Sequence, residues 1–271
     1  MRKTYIYLIL ITIFASCGRL DTYIEGKIKT IEATEVTNAS ALSGGMITFE
    51  SRDSDARRQI LQKGIIWSES INEIQASSMT NSVVKTTNAQ HINDTNVFLC
   101  RLTGLEPMTT YFVRAFAQFG GGIDNNFVFG DMLPISTFSL VRFRKEVANA
   151  SMTEMGLDTD DQGSELVNFV FGTSPAISPY FKIPYGLLAP WFYSVNRGNW
   201  YYVFPEIFYN FQANRKYTIS FTGFRSNDYI FDVIDDGPIL LEDLLITQPL
   251  QQSKSKPQNR SLRQRSVTNR K

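Results

Sequence analysis

The chain has 271 residues, 43% hydrophobic and 20% charged, a balance that excludes a disordered or collagen-like polymer and describes an ordinary globular protein. Its formal charge of +1 hides an asymmetry. Of 27 basic side chains, two precede residue 4 and seven lie from Lys254 to Lys271, leaving 18 in the body against 26 acidic ones.

The N-terminus is built in three parts. Met1-Arg2-Lys3 is basic, Tyr5 to Phe14 is almost unbroken apolar sequence, and Ala15-Ser16-Cys17 closes it with small residues and a thiol. This charge, apolar, small order is that of a secretory signal peptide, and the run is shorter than the roughly 20 residues needed to span a bilayer. Phe14-Ala15-Ser16-Cys17 resembles the lipobox of bacterial lipoproteins, with Phe14 in place of the usual leucine. The resemblance implies cleavage after residue 16, lipidation of Cys17 and membrane attachment through that lipid, with 17–34 as a linker. Only Asp21 supplies an acidic residue just behind the cysteine, so a periplasmic or surface-facing orientation stays open. With Cys17 lipidated, Cys100 in the apolar stretch Val97-Phe98-Leu99-Cys100 has no disulfide partner and reads as a buried thiol.

Residues 35–138 read as short strands separated by turns: Met46 to Glu50 after Gly44-Gly45, Gly64 to Ser68, Phe98 to Leu102, and Tyr111 to Phe119 after the turn at Gly104 to Met108. In the last of these, Tyr111, Val113, Ala115 and Ala117 share one face, and Phe112, Arg114, Phe116 and Gln118 share the other. Several short strands without an amphipathic helix predict a β-sandwich. The stretch from Gly104 to Ala117, including Leu105, Pro107, Thr109, Tyr111, Val113, Arg114 and Ala115, resembles the corresponding segment of fibronectin type III-like domains, closest to those of Bacteroidetes surface lipoproteins. Ser43-Gly44-Gly45, Gly64-Ile65-Ile66-Trp67-Ser68, and Phe129-Gly130 with Thr137-Phe138 match in the same order. The resemblance implies a tyrosine corner at Tyr111 and a central Trp67. Phe119 to Ile123 holds three glycines, but no Lys-Ser/Thr follows, so a hairpin is expected and not a phosphate loop.

Residues 139–245 are strand-like and far more aromatic. Trp191-Phe192-Tyr193 and Trp200-Tyr201-Tyr202-Val203-Phe204 carry aromatics on both faces of a strand. Such residues can pack under the first domain, line a groove or stack on sugar rings, and Trp191, Tyr193, Trp200 and Tyr202 are the candidate stacking residues. Phe211 to Gly223, running on to Asp235-Asp236-Gly237, is similar to the end of a bacterial envelope domain family of unknown function. In this chain Asn214-Arg215 stands where that family has Gly-Lys. The similarity implies a second sandwich in an envelope setting.

Catalytic machinery is sparse. Asp158-Thr159-Asp160-Asp161-Gln162-Gly163 opens like a calcium loop, but Phe169 stands where an EF-hand needs its bidentate glutamate, so a solvated acidic loop is expected. His91, the single histidine, lies in a polar stretch without a Gly-x-Ser-x-Gly elbow elsewhere, and no second histidine or cysteine cluster completes a zinc site. Carboxylate pairs for glycoside hydrolysis are available among 26 acids, yet none is singled out. No catalytic residue, metal or cofactor is expected. Residues 246–271 are basic, polar and poor in apolar side chains, which predicts a disordered tail. It suits phosphate-bearing lipids or acidic glycans; without interleaved aromatics, nucleic acid is not expected.

The expectation is therefore an all-β protein of two sandwiches, first immunoglobulin/fibronectin type III-like, then aromatic-rich. It would be a non-enzymatic lipoprotein of the outer membrane, binding a glycan or an envelope protein. The alternative is a structural subunit whose aromatic surface is buried against a partner.

Overall fold

The computed structural model describes residues 26–49, 60–75, 85–88, 96–119, 127–159, 164–204, 208–225, 228–246 and 264–265. Cys17 with the expected signal segment, His91, Gly120 to Gly122, Asp160 to Gly163 and most of the basic tail lie outside these residues.

The first domain uses strands β1 (Gly26–Thr34), β2 (Ser40–Phe49), β3 (Ile60–Ser68), β4 (Lys85–Asn88), β5 (Val97–Thr103), β6 (Thr110–Phe119), β7 (Phe127–Phe129) and β8 (Leu133–Ser136), with a short helix α1 (Ile71–Gln75) after β3. One sheet has the order β1-β2-β5; the other runs β4-β3-β6-β7, with β8 also paired to β6. All pairings in both sheets are antiparallel. The expected linker 17–34 therefore contains the first strand. Lys27, Lys29 and Glu32 face water while Ile28 and Thr30 face inward, and the charged outer face made the segment look like a spacer.

Period-2 alternation in β6 places Tyr111, Val113, Ala115 and Ala117 in the core between the sheets, with Trp67, Ile47, Phe98 and Leu102. On its other face Phe116 is buried, packed with Ile66, with Ile74 of α1 and with Phe127 and Phe129, while Phe112, Arg114 and Gln118 are half-buried. Trp67 lies edge-on to Tyr111 at 5.5 Å between ring centroids. Gly45 is required by this packing: a Cβ there would lie 2.6 Å from the Phe98 ring and 2.8 Å from Ala115 Cβ. Cys100 is buried in the same core, and desolvation pushes its thiol up to about 11 from 9.0.

The second domain contains β9 (Ser139–Lys145), β10 (Met152–Asp158), β11 (Glu165–Val170), β12 (Ala176–Ile177), β13 (Phe181–Ile183), β14 (Gly186–Ser194), β15 (Asn199–Tyr202), β16 (Tyr209–Phe211), β17 (Arg215–Arg225), β18 (Asp228–Pro238), α2 (Leu241–Ile246) and β19 (Gln264–Arg265). One sheet has the order β12-β9-β17-β18, with β13 also on β9 and β17 parallel to β9. The facing sheet has the order β11-β10-β14-β15-β19, with β16 on β14. Between them lie Phe143, Met155, Leu157, Phe192, Phe211, Tyr217, Ile219, Phe221 and Phe231, all buried. The protein is thus all-β, with two sandwiches in series. Within the expected tail, Gln264 and Arg265 form the parallel edge strand beside Tyr201 and Tyr202.

One device closes a corner in each sandwich. The Tyr111 hydroxyl accepts a hydrogen bond from Glu106 N at 2.8 Å, and the Tyr217 hydroxyl accepts one from Gln212 N at 3.0 Å. In both, the residue three positions before the tyrosine has a left-handed backbone, Met108 at φ 55° and Asn214 at φ 60°. Asparagine tolerates that conformation better than most side chains.

Only Thr137 and Phe138 separate β8 from β9, and the two domains are bonded across this step. Asn214 N donates to Phe138 O at 2.8 Å, its Oδ1 accepts from Ser136 N at 2.9 Å, and its carbonyl accepts from Ile239 N at 3.1 Å. Lys182 Nζ donates to Met108 O and lies 4.1 Å from the centroid of the Phe138 ring. Tyr185 OH accepts from Asn38 N at 2.8 Å. Phe138, Leu140 and Ile239 form a small apolar cluster at the seam, with Met108, Tyr180 and Leu244 against it.

Tyr217→Phe removes a corner acceptor and leaves Gln212 N unpaired, so urea denaturation should show a loss of about 1–3 kcal/mol. Asn214→Ala should cost more than Asn214→Gly, because alanine loses the bond to Ser136 N and also strains the left-handed backbone. For Cys100 the sign follows from a folded value above the unfolded one. Below pH 9 the thiol is protonated in both states and adds nothing; from 9 to about 11 the unfolded chain ionises first and stability falls as pH rises. In a Cys17→Ala protein at pH 8, Ellman's reagent should react slowly with the native state and with one full thiol after unfolding.

Candidate functional site

The four candidate stacking residues lie on one face of the β10-β14-β15 sheet. Trp191 stands opposite Tyr202, and Tyr193 opposite Trp200. The neighbouring strand presents Gly156 to Trp191, and the indole lies across it: a Cβ on Gly156 would sit 2.4 Å from Trp191 Cζ2. Trp191 is 0% exposed and Tyr202 3%, while Tyr193 and Trp200 are half-buried with centroids 4.8 Å apart. Of the four candidate stacking residues only Tyr193 and Trp200 keep part of their surface exposed, whereas Trp191 and Tyr202 are buried, the alternative the sequence left open for these aromatics. Their rings pack across the strands and over a glycine, and offer no free face. Asp158, expected in a solvated loop, is likewise buried, at the end of β10 opposite Ala189.

A concave feature lined by described residues lies elsewhere, at the seam of the two sandwiches. It is a cavity of about 410 Å³ bounded by Ile31 and Met46 from the first sheet, Leu133 and Pro134 from β8, and Asn214 and Leu240 from the second domain. That size is at the small end of ligand pockets and suits a few side chains of a partner. Its floor is set by Thr30, whose hydroxyl accepts from Ala115 N at 3.0 Å and donates to Asp131 O, holding β1 against β6 and the β7–β8 turn. The rim is charged, with Lys29, Glu32 and Asp131, and the walls are apolar.

The apolar surface continues beyond the cavity on both sides. On the outer face of β1-β2-β5, Met46 stands opposite Val97, and the flat Gly44 opposite Leu99. Met46, Val97 and Leu99 are 38%, 45% and 52% exposed, so they form a contiguous stripe and not scattered single residues. Across the cavity, Leu240, Leu241 and Leu245 are exposed. Helix α2, which carries the last two, is pinned by the Lys216–Asp243 ion pair at 2.8 Å and by Asp243 accepting from Leu240 N at 2.8 Å. No single stretch of sequence marks this cleft, because its walls come from four separate strands and the chain after β18.

Titratable groups away from the cleft are committed to structure. Lys145, buried, donates to the carbonyls of Asn149, Met152 and Gly172, and burial lowers its pKa. On the outer face of the β9-β17-β18 sheet, Asp236 accepts from Tyr180 OH at 3.0 Å and from Thr218, with Arg142 stacked 4.6 Å from the Tyr180 ring. Burial and then the Asp236 bond push the Tyr180 phenol up to about 12. Each group in that ladder has a partner, so the arrangement holds strands together and presents no poised acid or base. Among the described residues there is no group of three or more His, Cys, Asp or Glu side chains able to hold a metal, and no helix is long and apolar enough to cross a membrane.

No protein-family profile and no curated protein matches this chain. Among solved structures, the chain is similar to the sensor domain of the anti-sigma factor RsgI4 of Pseudobacteroides cellulosolvens, over 42% of this chain and 75% of that one, with 17% identity and a TM-score of 0.28. A likeness of that extent carries no argument about what this chain does.

Proposed function

We propose that this chain is a non-catalytic lipoprotein of the cell envelope, anchored in the outer membrane through Cys17, that binds a protein partner in the cleft between its two sandwiches. The observation that carries the reading is the apolar surface running from Val97, Leu99 and Met46 into the cavity, whose far wall includes the exposed Leu240. Water-facing apolar area of this continuity is costly unless something covers it. Its charged rim of Lys29, Glu32 and Asp131 supplies register in the manner of a protein interface, with an apolar centre and polar border. The short bonded seam holds the two walls in one relative position, so little ordering entropy is lost on binding.

The order β1-β2-β5 against β4-β3-β6-β7 and the Tyr111 corner support the resemblance of the first domain to fibronectin type III, a common spacer and contact module. Burial of Trp191 and Tyr202 favours a protein partner over a glycan, since sugar stacking needs an exposed ring face. The alternative of a structural subunit shares this surface and moves its contact from the aromatic strands to the cleft.

A photoreactive amino acid at Met46 should give a covalent adduct in intact cells, while one at Ile234, exposed on the outer face of the β9-β17-β18 sheet, should not. Equal labelling at both positions, or none at Met46, would remove the cleft from consideration. Labelled palmitate should enter the wild-type chain, and Cys17→Ala should yield a soluble, folded, unlabelled protein. Two or more acyl chains, at about 0.8 kcal/mol per buried CH₂, suffice for stable anchoring. Label retained in Cys17→Ala would place the lipid elsewhere.

A further inference from the structure

The first strand changes phase at the mouth of the cleft. From Gly26 to Thr30 the even-numbered residues face inward, with Ile28 in the core and the Thr30 hydroxyl bonded to Ala115 N. Strict alternation would send Glu32 inward behind them. Instead Ile31 pairs with Gly44 and Thr34 with Leu42, so Glu32 and Ala33 together stand opposite Ser43. This β-bulge shifts the alternation by one position: Ala33 packs against the core and Glu32 is exposed. Glu32 then lines the cavity together with Asp131 of the β7–β8 turn, which is exposed as well. Among the described residues neither carboxylate forms an ion pair. Across the seam, Arg215 feels Asp235 first and Glu32 more weakly, and gives its bond to Asp235 at 2.7 Å.

The shape and charge of the cavity limit what can occupy it. Lys29, Thr30, Ile31 and Glu32 line it consecutively, and a strand shows consecutive residues to one cavity only along its edge. Among the described residues β1 pairs with β2 alone, so its other edge is the one that faces the cavity. At Thr30 this edge is closed by Gly130, where a Cβ would lie 2.7 Å from Thr30 N; beyond it the space runs to Leu240. The cavity is therefore a short channel beside β1. A single turn of α-helix, about 10 Å across and about 5.4 Å long, takes up roughly 420 Å³, as much as the whole cavity of about 410 Å³. An extended segment of a few residues fits where a helix does not. Lys29 is the single base of the lining and lies on the outer face with Lys27. The two acids of the lining, in a body of 26 acidic against 18 basic side chains, favour a cationic group on the partner.

We propose that the cleft takes an extended segment of a partner protein that lies along the edge of β1, sets apolar side chains against Ile31, Leu133 and Leu240, and brings a lysine or arginine beside Glu32 and Asp131. The bulge is then what makes the cleft selective, because it takes Glu32 out of the core and turns it toward the partner's cation. This proposal rests on the cleft reading and names the chemistry of the segment that the cleft accepts.

Two synthetic peptides serve as probes, acetyl-Leu-Lys-Leu-Lys-Leu-amide and the same sequence with Glu in place of Lys. In NMR titrations of the soluble Cys17→Ala protein, the lysine peptide should shift the amide signals of Ile31, Glu32, Leu133 and Leu240 and leave Ile234 unmoved. The glutamate peptide should bind about tenfold more weakly or worse. The double variant Glu32→Lys and Asp131→Lys should invert that preference. Both side chains are exposed, and the bond from Thr30 goes to the Asp131 carbonyl, so the fold survives the change. Equal affinity for the two peptides, or no shift with either, overturns the proposal. In cells, the double variant should abolish the adduct formed from a photoreactive residue at Met46. An adduct that persists at full yield overturns the cationic segment and leaves the cleft reading standing. Absence of any Met46 adduct in the otherwise unchanged chain removes the cleft reading and this proposal with it. An adduct joining two copies of this chain would assign the cleft to self-association and overturn the foreign segment.

Discussion

Asn214 holds the two sandwiches together at the point where the chain has least slack. Its backbone N–H binds Phe138 O within the two-residue step between the domains, its side-chain oxygen binds Ser136 N at the end of β8, and its carbonyl takes Ile239 N just after β18. Two of these bonds tie the second domain to the inter-domain step, and the third ties Asn214 to the end of its own domain's β18. The cavity at the seam, the placement of α2 and the facing of Met46 toward Leu240 all follow from that junction. A longer connection would let the domains swing and would open the cleft to water.

The same residue serves a second purpose, inside its own domain. Its left-handed backbone turns the chain into β17 so that Tyr217 reaches back to Gln212 N, repeating what Met108 and Tyr111 do for Glu106 N. Each corner ties a backbone N–H of the turn to the hydroxyl of a buried tyrosine. Because the second corner also carries the bonds to the first domain, folding of the second sandwich and docking of the two domains are coupled events. Sandwiches joined by flexible linkers lack that coupling.

The aromatic excess of the second half divides into two layers. Phe143, Phe192, Phe211, Tyr217, Phe221 and Phe231 fill the space between the sheets, with Phe192 within 4.9 Å of Phe231 and 4.5 Å of Tyr229 by ring centroid. Trp191, Tyr193, Trp200 and Tyr202 form a thinner layer on the outside of one sheet, with Gly156 giving the Trp191 indole room to lie flat. Aromatics on both faces of β14 and β15 thus serve two layers, one between the sheets and one on the outside of a single sheet. The seam, by contrast, leaves aliphatic side chains open, which is why the functional reading rests there.

Sequence alone determined the strand character and the alternation of β6, because these depend on side-chain period, while the core position of Trp67 and the corner at Tyr111 were expected from the resemblance of the segments around them to fibronectin type III-like domains. It missed β1, whose outward lysines and glutamate hide an inward Ile28 and Thr30. It also showed that Trp191, Tyr193, Trp200 and Tyr202 can share a face, since alternation sets which side of a strand a residue takes. Whether that face meets water is decided by what else packs on it, and so the tertiary structure alone buried Trp191 and Tyr202. The cleft was illegible for the same reason. Ile31, Met46, Leu133 and Leu240 are far apart in sequence, and only the bonded seam at Asn214 brings them to one surface.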